Sequence, residues 1–180
     1  MGEFFNKRIE LIKKAYLRLL KYLAPIAYAR QLGVRLGENC RLINVSFGSE
    51  PWLIKLGNDV SISDSRFITH DGGVWVLRKK RPAIDFVAPI TVGNNVFIGS
   101  GTTILPGICI GDDVIIGAGS VVARNIPASC VAAGVPARVI RSLDEYQTNI
   151  LANCDETKGF ARRQIREFHR SKFSSFYDEN

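Results

Sequence analysis

The chain has 180 residues, 46% hydrophobic and 23% charged, with 24 Lys+Arg against 17 Asp+Glu for a formal net charge of +7. That composition excludes a disordered chain and leaves enough apolar sequence for a buried core. The positive excess suits an anionic partner, whether a phosphorylated cofactor, nucleic acid or an acidic membrane surface, without choosing among them. Cys40, Cys109, Cys130 and Cys154 form no C-x-x-C pair and have no histidine at zinc-ligand spacing. Neither a metal site nor a disulfide framework is expected, and free thiols suit a reducing compartment. No apolar run is long enough to span a bilayer and no secretory leader is evident, so the expectation is a cytoplasmic protein.

Residues 1–33 carry apolar side chains at helical spacing (Phe5, Ile9, Ile12, Tyr16, Leu19, Leu20, Leu23) with Lys and Arg between them. This predicts a basic amphipathic helix, ended or kinked near Pro25. It would cap the first coil of the central region; the second reading is peripheral contact with an anionic membrane, and with it a membrane-associated protein. Residues 34–140 are rich in Gly, Val, Ile, Asn and Asp, and none of it reads as a long helix. Residues 141–180 return to charged, helical composition, as in "FARRQIREFHR".

The middle region repeats every six residues. Phe86, Val92, Ile98, Ile104, Ile110, Ile116 and Val122 are all apolar, and Leu56, Ile62 and Ile68 share their phase. Leu36 and Leu42 begin two earlier repeats, before a two-residue insertion near Gly48-Ser49. The residue after each key position is often small (Gly57, Gly93, Gly99, Gly111, Gly117), and the corners are Asn/Asp-rich, as in "GNN" and "GDD". Period six fits neither an amphipathic helix nor the two-residue alternation of a β-sandwich strand. It fits a short strand and a tight corner repeated around a prism, with small residues allowing coils to stack and Asn/Asp accepting left-handed corner angles. The repeat breaks over a loop, residues 70–85. On this reading the loop leaves the coil at His70 and the phase returns at Phe86.

The run "PITVGNNVFIGSGTTILPGICIGDDVIIGAGSVVARNIPASCVAAGVPARVIR", residues 89–141, resembles the hexapeptide-repeat acyltransferases. It is most similar to the branch of maltose, galactoside and nodulation-factor O-acetyltransferases and related capsule-sugar enzymes. The resemblance implies a left-handed parallel β-helix, against the usual right-handed crossover rule. It also implies a homotrimer with active sites between subunits, acetyl-CoA as co-substrate and no metal. In that family a loop carries a catalytic histidine ahead of a W-I-G-S repeat. Here His70 leads the loop, and the repeat reads Phe97-Ile98-Gly99-Ser100, with phenylalanine for tryptophan.

Acyl transfer from a thioester to a hydroxyl needs a base, an oxyanion donor and a grip on the donor. Histidine is the natural base, with an ordinary pKa of about 6.5. His70 is the only histidine in the repeat region, and His169 sits in the basic tail as a surface residue. Asp71 is the neighbouring candidate to orient it. By resemblance, the Ser100 backbone N–H is the oxyanion donor. Ser100, Ala118, Ala123, Arg124, Arg138 and Arg141 would hold the cofactor, and Asn44 and Phe97 would face the acceptor. The expected reaction is transfer of acetyl from acetyl-CoA to a hydroxyl of a sugar or surface-polysaccharide precursor, by direct attack without an acyl-enzyme. A xenobiotic or amino sugar is the alternative acceptor, and a non-catalytic trimeric scaffold the alternative of another class. The "RKKR" run at 78–81 lacks the interleaved aromatics of a nucleic-acid site, so no nucleic-acid partner is expected; it reads instead as a contact for an anionic sugar or CoA. The Gly clusters complete no dinucleotide fingerprint.

Overall fold

The computed structural model describes Ile12 and residues 15–177. Phe5 and Ile9 of the predicted N-terminal helix lie outside those residues. The chain forms two compact units, Met1–Tyr146 and Gln147–Asn180.

Among the described residues, the first unit is built of thirteen short strands: β1 (Arg35–Leu36), β2 (Arg41–Ile43), β3 (Ile54–Leu56), β4 (Ser61–Ser63), β5 (Arg66–Phe67), β6 (Ile90–Val92), β7 (Val96–Ile98), β8 (Thr103–Ile104), β9 (Cys109–Ile110), β10 (Val114–Ile116), β11 (Val121–Val122), β12 (Cys130–Gly134) and β13 (Ala137–Ser142). They assemble into three sheets, ordered β1-β3-β6-β9, β13-β12-β10-β7-β4-β2 and β11-β8-β5. Every pairing is parallel except β12–β13, an antiparallel hairpin at the last coil. Successive strands therefore fall on successive faces, and each coil stacks on the one before. The register is direct: Val96 pairs with Val114 and Thr103 with Val121, a step of 18 residues, or three hexapeptides per coil.

Two inward positions per repeat build the core. Val92, Ile98, Ile104, Ile110, Ile116 and Val122 are buried, and so are Ile90, Val96, Ile108 and Val114 two residues before four of them. Thr102 and Ser120 occupy the same inward row as fully buried hydroxyls. Each is satisfied by a carbonyl one corner back, Thr102 donating to Gly99 O at 2.7 Å and Ser120 to Gly117 O at 2.6 Å. A buried polar group without such a partner would be costly.

The corners stack as side-chain ladders. Glu38 N–H donates to Asn58 Oδ1, Asn58 N–H to Asn94 Oδ1 and Asn94 N–H to Asp112 Oδ1. The residues after them, Asn39, Asp59, Asn95 and Asp113, hold positive φ between 52° and 57°, the region these side chains tolerate. Close coil spacing also explains Gly99, where an added Cβ would lie 2.6 Å from Ala118 N. Gly99→Ala should therefore cost about 1–3 kcal/mol, as overpacking does in a filled interior. A lowered midpoint in thermal unfolding checks this, and an unchanged one would mean that the coils part freely here.

The repeat slips where the sequence phase did not show it. In the first coil Arg35 pairs with Lys55 and Arg41 with Ser61, a step of 20 that carries the two-residue insertion. Then Ser61 pairs with Phe97 but Arg66 with Thr103. The stretch 61–66 is one residue shorter than its neighbour 97–103. Phe67, not Ile68, thus pairs with Ile104 and is fully buried, while Ile68 is only half-buried. Phe86 is likewise not an inward residue: it is 50% exposed, and the core row resumes at Ile90 in β6. The apparent agreement of phase at Ile68 and Phe86 is accidental: a one-residue deletion moves the inward position from Ile68 to Phe67, and Phe86 sits at the loop neck outside the core row.

Residues 15–23 are helical, the helix breaks at Ala24, and α1 (Pro25–Gln31) follows with proline in its first turn. α1 buries Ala29 in the core beside Val34 and thus covers the first coil. Upstream, Tyr16, Leu19 and Leu23 are exposed. In the last part of the chain, α2 (Leu143–Leu151) begins directly after β13, so the predicted helical tail starts after Ser142. The second unit contains α3 (Arg162–Lys172) and α4 (Ser174–Tyr177), and its loop residue Asp155 pairs with Lys172. Among the described residues, no helix is long and apolar enough to cross a membrane.

Candidate active site

Thr69 is the last residue of its coil to be fully buried, and His70 follows it where the chain departs. The loop is closed at its neck. Asp71 N–H donates to Phe86 O at 2.9 Å, Ala88 N–H donates to Thr69 O at 2.8 Å, and His70 forms an antiparallel bridge with Val87. The histidine thus has a rigid coil on one side and a pinned strand pair on the other.

Its ring is fixed as well. His70 Nδ1 lies 3.0 Å from Glu50 Oε2, and the same oxygen accepts the Thr69 hydroxyl at 2.6 Å. These two hydrogen bonds, Thr69 first and then His70, hold the Glu50 carboxyl below the usual carboxylate range, with partial burial opposing them. A carboxylate facing Nδ1 selects the tautomer with hydrogen on that nitrogen and leaves Nε2 with its lone pair. Chemically, this is a positioned base with an oriented ring.

The hexapeptide pattern alone does not single out Glu50 and Thr69. The signal for them lies in the first coil's step of 20, since Ser46 bridges Arg66 and residue 50 falls beside residue 70 by the same step. Asp71, the predicted orienting neighbour, points elsewhere: its carboxylate accepts Gly73 N–H at 2.8 Å and caps the short 3-10 turn Gly72–Leu77.

Ser100 stands at the corner after β7. Asn44, Asp64 and Ser100 form one column, with Asn44 Nδ2 donating to Asp64 Oδ1 at 2.7 Å and Ser100 Oγ donating to Asp64 Oδ2 at 3.4 Å. Asn44, a candidate acceptor contact, therefore spends its amide on this column, with φ at 49°. The Ser100 backbone differs from the Glu38, Asn58 and Asn94 corners. There the equivalent N–H meets a side chain of the next coil, as Asn94 meets Asp112 18 residues on. For Ser100 that residue is Ala118, which offers no acceptor, and none of the hydrogen bonds among the described residues uses the Ser100 N–H. Substituting alanine for an acidic corner residue frees an N–H at a rigid turn.

The same stacking brings Ser100 against the Ala118–Gly119 corner, where Gly119 N–H donates to Ser100 O at 2.8 Å. Ala123 and Arg124 are exposed just past β11. Arg138 and Arg141 lie exposed on β13, opposite Ala133 and Val131 of β12. Phe97 projects outward from β7 between Ser61 and Ile115. Among the described residues, no hydrogen bond or ion pair joins His70 to Ser100, Phe97 or the arginines. No group of three His, Cys, Asp or Glu side chains is placed to hold a metal ion among them either.

Known proteins share this architecture. Residues 89–124 match the bacterial transferase hexapeptide (six repeats) family. Protein CapG of Staphylococcus aureus is 46% identical over 166 residues, covering 90% of this chain and 96% of CapG. The chain belongs to the hexapeptide-repeat transferases, in their acetyltransferase branch. Galactoside O-acetyltransferase of Escherichia coli is 35% identical over 124 residues, 67% of this chain and 60% of that protein. A solved galactoside acetyltransferase in complex with coenzyme A superposes with a TM-score of 0.60 at 29% identity, covering 77% of this chain and 82% of that one. For a hexapeptide-repeat transferase of this branch, the three stacked sheets are those of a left-handed β-helix.

Proposed function

We propose that this acetyltransferase moves the acetyl group of acetyl-CoA to a hydroxyl of a saccharide acceptor, with His70 as general base. The observation that carries the reading is the Thr69–Glu50–His70 arrangement, which engages Nδ1 and leaves Nε2 to the reaction. His70 Nε2 takes the proton of the acceptor hydroxyl as its oxygen attacks the thioester carbonyl. The carbonyl oxygen becomes an oxyanion, to which the free Ser100 N–H donates. Collapse breaks the C–S bond, the ester forms, and the proton on Nε2 passes to the departing CoA thiolate. Each atom is accounted for without an acyl-enzyme.

The Ala118 corner, Ala123, Arg124, Arg138 and Arg141 would hold the CoA moiety, the arginines meeting its phosphates as planar donors do. A solved relative bound to coenzyme A supports that donor. The active form would be a homotrimer with sites between coils of adjacent subunits, working in the cytoplasm, where its four free cysteines stay reduced. The name of the Escherichia coli relative, galactoside O-acetyltransferase, supports a sugar acceptor over a xenobiotic. The test is acceptor-dependent release of free CoA across sugars, nucleotide sugars and antibiotics. Release with a saccharide class is expected; release only with antibiotics, or with nothing, would overturn the reading.

In this scheme Glu50 is a positioning residue. Glu50→Ala should lower kcat with KM for acetyl-CoA little changed, and Glu50→Gln should lose less because its amide oxygen still accepts Nδ1–H. The loss should stay below the roughly 10⁴-fold that the orienting carboxylate is worth in the serine-protease triad. Initial-rate kinetics on both variants check this. A change confined to KM would mean that Glu50 binds substrate instead.

A further inference from the structure

The loop that begins at His70 carries more than its neck requires. In the second half of the capped 3-10 turn, Trp75, Val76 and Leu77 are 72%, 74% and 54% exposed. Exposed apolar side chains in a row are a cost in water unless something covers them. Arg78, Lys79, Lys80 and Arg81 follow at once. Arg78 is engaged within the loop: its guanidinium lies 6.0 Å from the Trp75 ring and 3.7 Å from Asp85, and its Nε donates to Ile84 O. Lys79, Lys80 and Arg81 have no carboxylate within ion-pair distance among the described residues. The loop's two acids are both occupied, Asp71 on Gly73 and Asp85 on Arg78 and the Phe86 N–H. A cavity of about 390 Å³ opens between Trp75, Val76, Arg78 and Lys79.

An apolar tip with a collar of unpaired cations is complementary to an amphiphile with an anionic head. We infer that the Trp75–Arg81 segment docks on an anionic lipid surface, so that the acceptor is a saccharide linked through phosphate to a lipid and presented there to His70. This rests on the reading of His70 as the catalytic base. Tryptophan favours the bilayer interface, and each Lys or Arg near an anionic surface adds to binding. A soluble nucleotide carrier would use the Trp75 ring and the cations but leave Val76 and Leu77 exposed. A second copy of this chain, itself at +7, would have to desolvate three unpaired cations in the contact.

The experiment is co-sedimentation of the full chain with vesicles of phosphatidylcholine, alone and mixed with phosphatidylglycerol. Binding to the mixed vesicles is expected, weakening with salt. Lys79→Glu/Lys80→Glu/Arg81→Glu should lower it on the order of 10²-fold, and Trp75→Ala/Leu77→Ala should also lower it, with the salt dependence retained. Equal binding by wild type and both variants would place any lipid contact elsewhere, such as residues 15–23, and overturn the inference. So would a loss of binding that accompanies a change in oligomeric mass, which would assign the tip to a subunit contact. Inhibition of transfer by a nucleoside diphosphate, relieved by Trp75→Ala, would assign it to a soluble nucleotide carrier. The docking and the chemistry fail separately. His70→Ala that binds vesicles but releases no CoA supports both, whereas wild type that transfers acetyl but ignores lipid overturns the docking alone.

Discussion

His70→Ala should reduce kcat for acetyl transfer by about 10²–10⁴-fold, the range general-base catalysis contributes. The size follows from what the side chain would do. A saccharide hydroxyl is a poor nucleophile at neutral pH, and its attack on a thioester needs a base in place as the C–O bond forms. The variant should keep its fold, because His70 is half-exposed, lies outside the core row and holds Glu50 only jointly with Thr69. KM for acetyl-CoA should move little, since no donor-binding position depends on the ring. Initial rates of CoA release with the saccharide that works best, alongside circular dichroism of the variant, make the measurement. Near wild-type kcat in a folded variant would remove His70 from the chemistry. It would leave Ser100 and the coil corners as a binding surface only.

The architecture was legible because period six is a geometric statement. Inward aliphatics such as Ile98, Ile104, Ile110 and Ile116 would scatter around a helix at that spacing, and the Gly, Asn and Asp corners between them rule out one continuous strand, so stacked coils result. The break at His70 was legible for the same reason. Less legible was anything that depended on adding up lengths across an irregularity. Ile68 matched the phase by accident, because the chain is one residue short between Ser61 and Arg66 and an exposed loop comes next. Glu50 was missed because its neighbourhood with His70 exists only between coils, 20 residues apart, where the regular step is 18. Asp71 drew attention by adjacency, yet successive residues leaving a strand point apart, and its carboxylate is used to cap the loop. The free N–H of Ser100 was visible only by resemblance, although Ala118 standing where other corners carry Asp or Asn encodes it.

The largest structural effect should come from Phe67→Ala. Phe67 is fully buried, pairs with Ile104 across β5–β8 and stacks on Phe47 with ring centroids 5.7 Å apart. It also fills the place where the coil is one residue short, so a large ring takes the volume that the regular repeat would fill with chain. Truncation leaves a cavity that neighbouring coils cannot close without breaking their registers, and should cost about 3–5 kcal/mol. Thermal unfolding should register this as a fall of roughly 6–20 °C for a chain of this size. The effect should also reach the site. Phe67 N–H donates to Ser46 O, which fixes the step of 20 that sets Glu50 beside His70. A loosened step would separate the carboxylate from the ring. Phe67→Ala should therefore lose more kcat than its folded fraction explains, whereas Phe67→Leu should lose mainly stability. Equal specific activity per folded molecule in both variants would mean that the pair is held by the loop neck and not by the core beneath it.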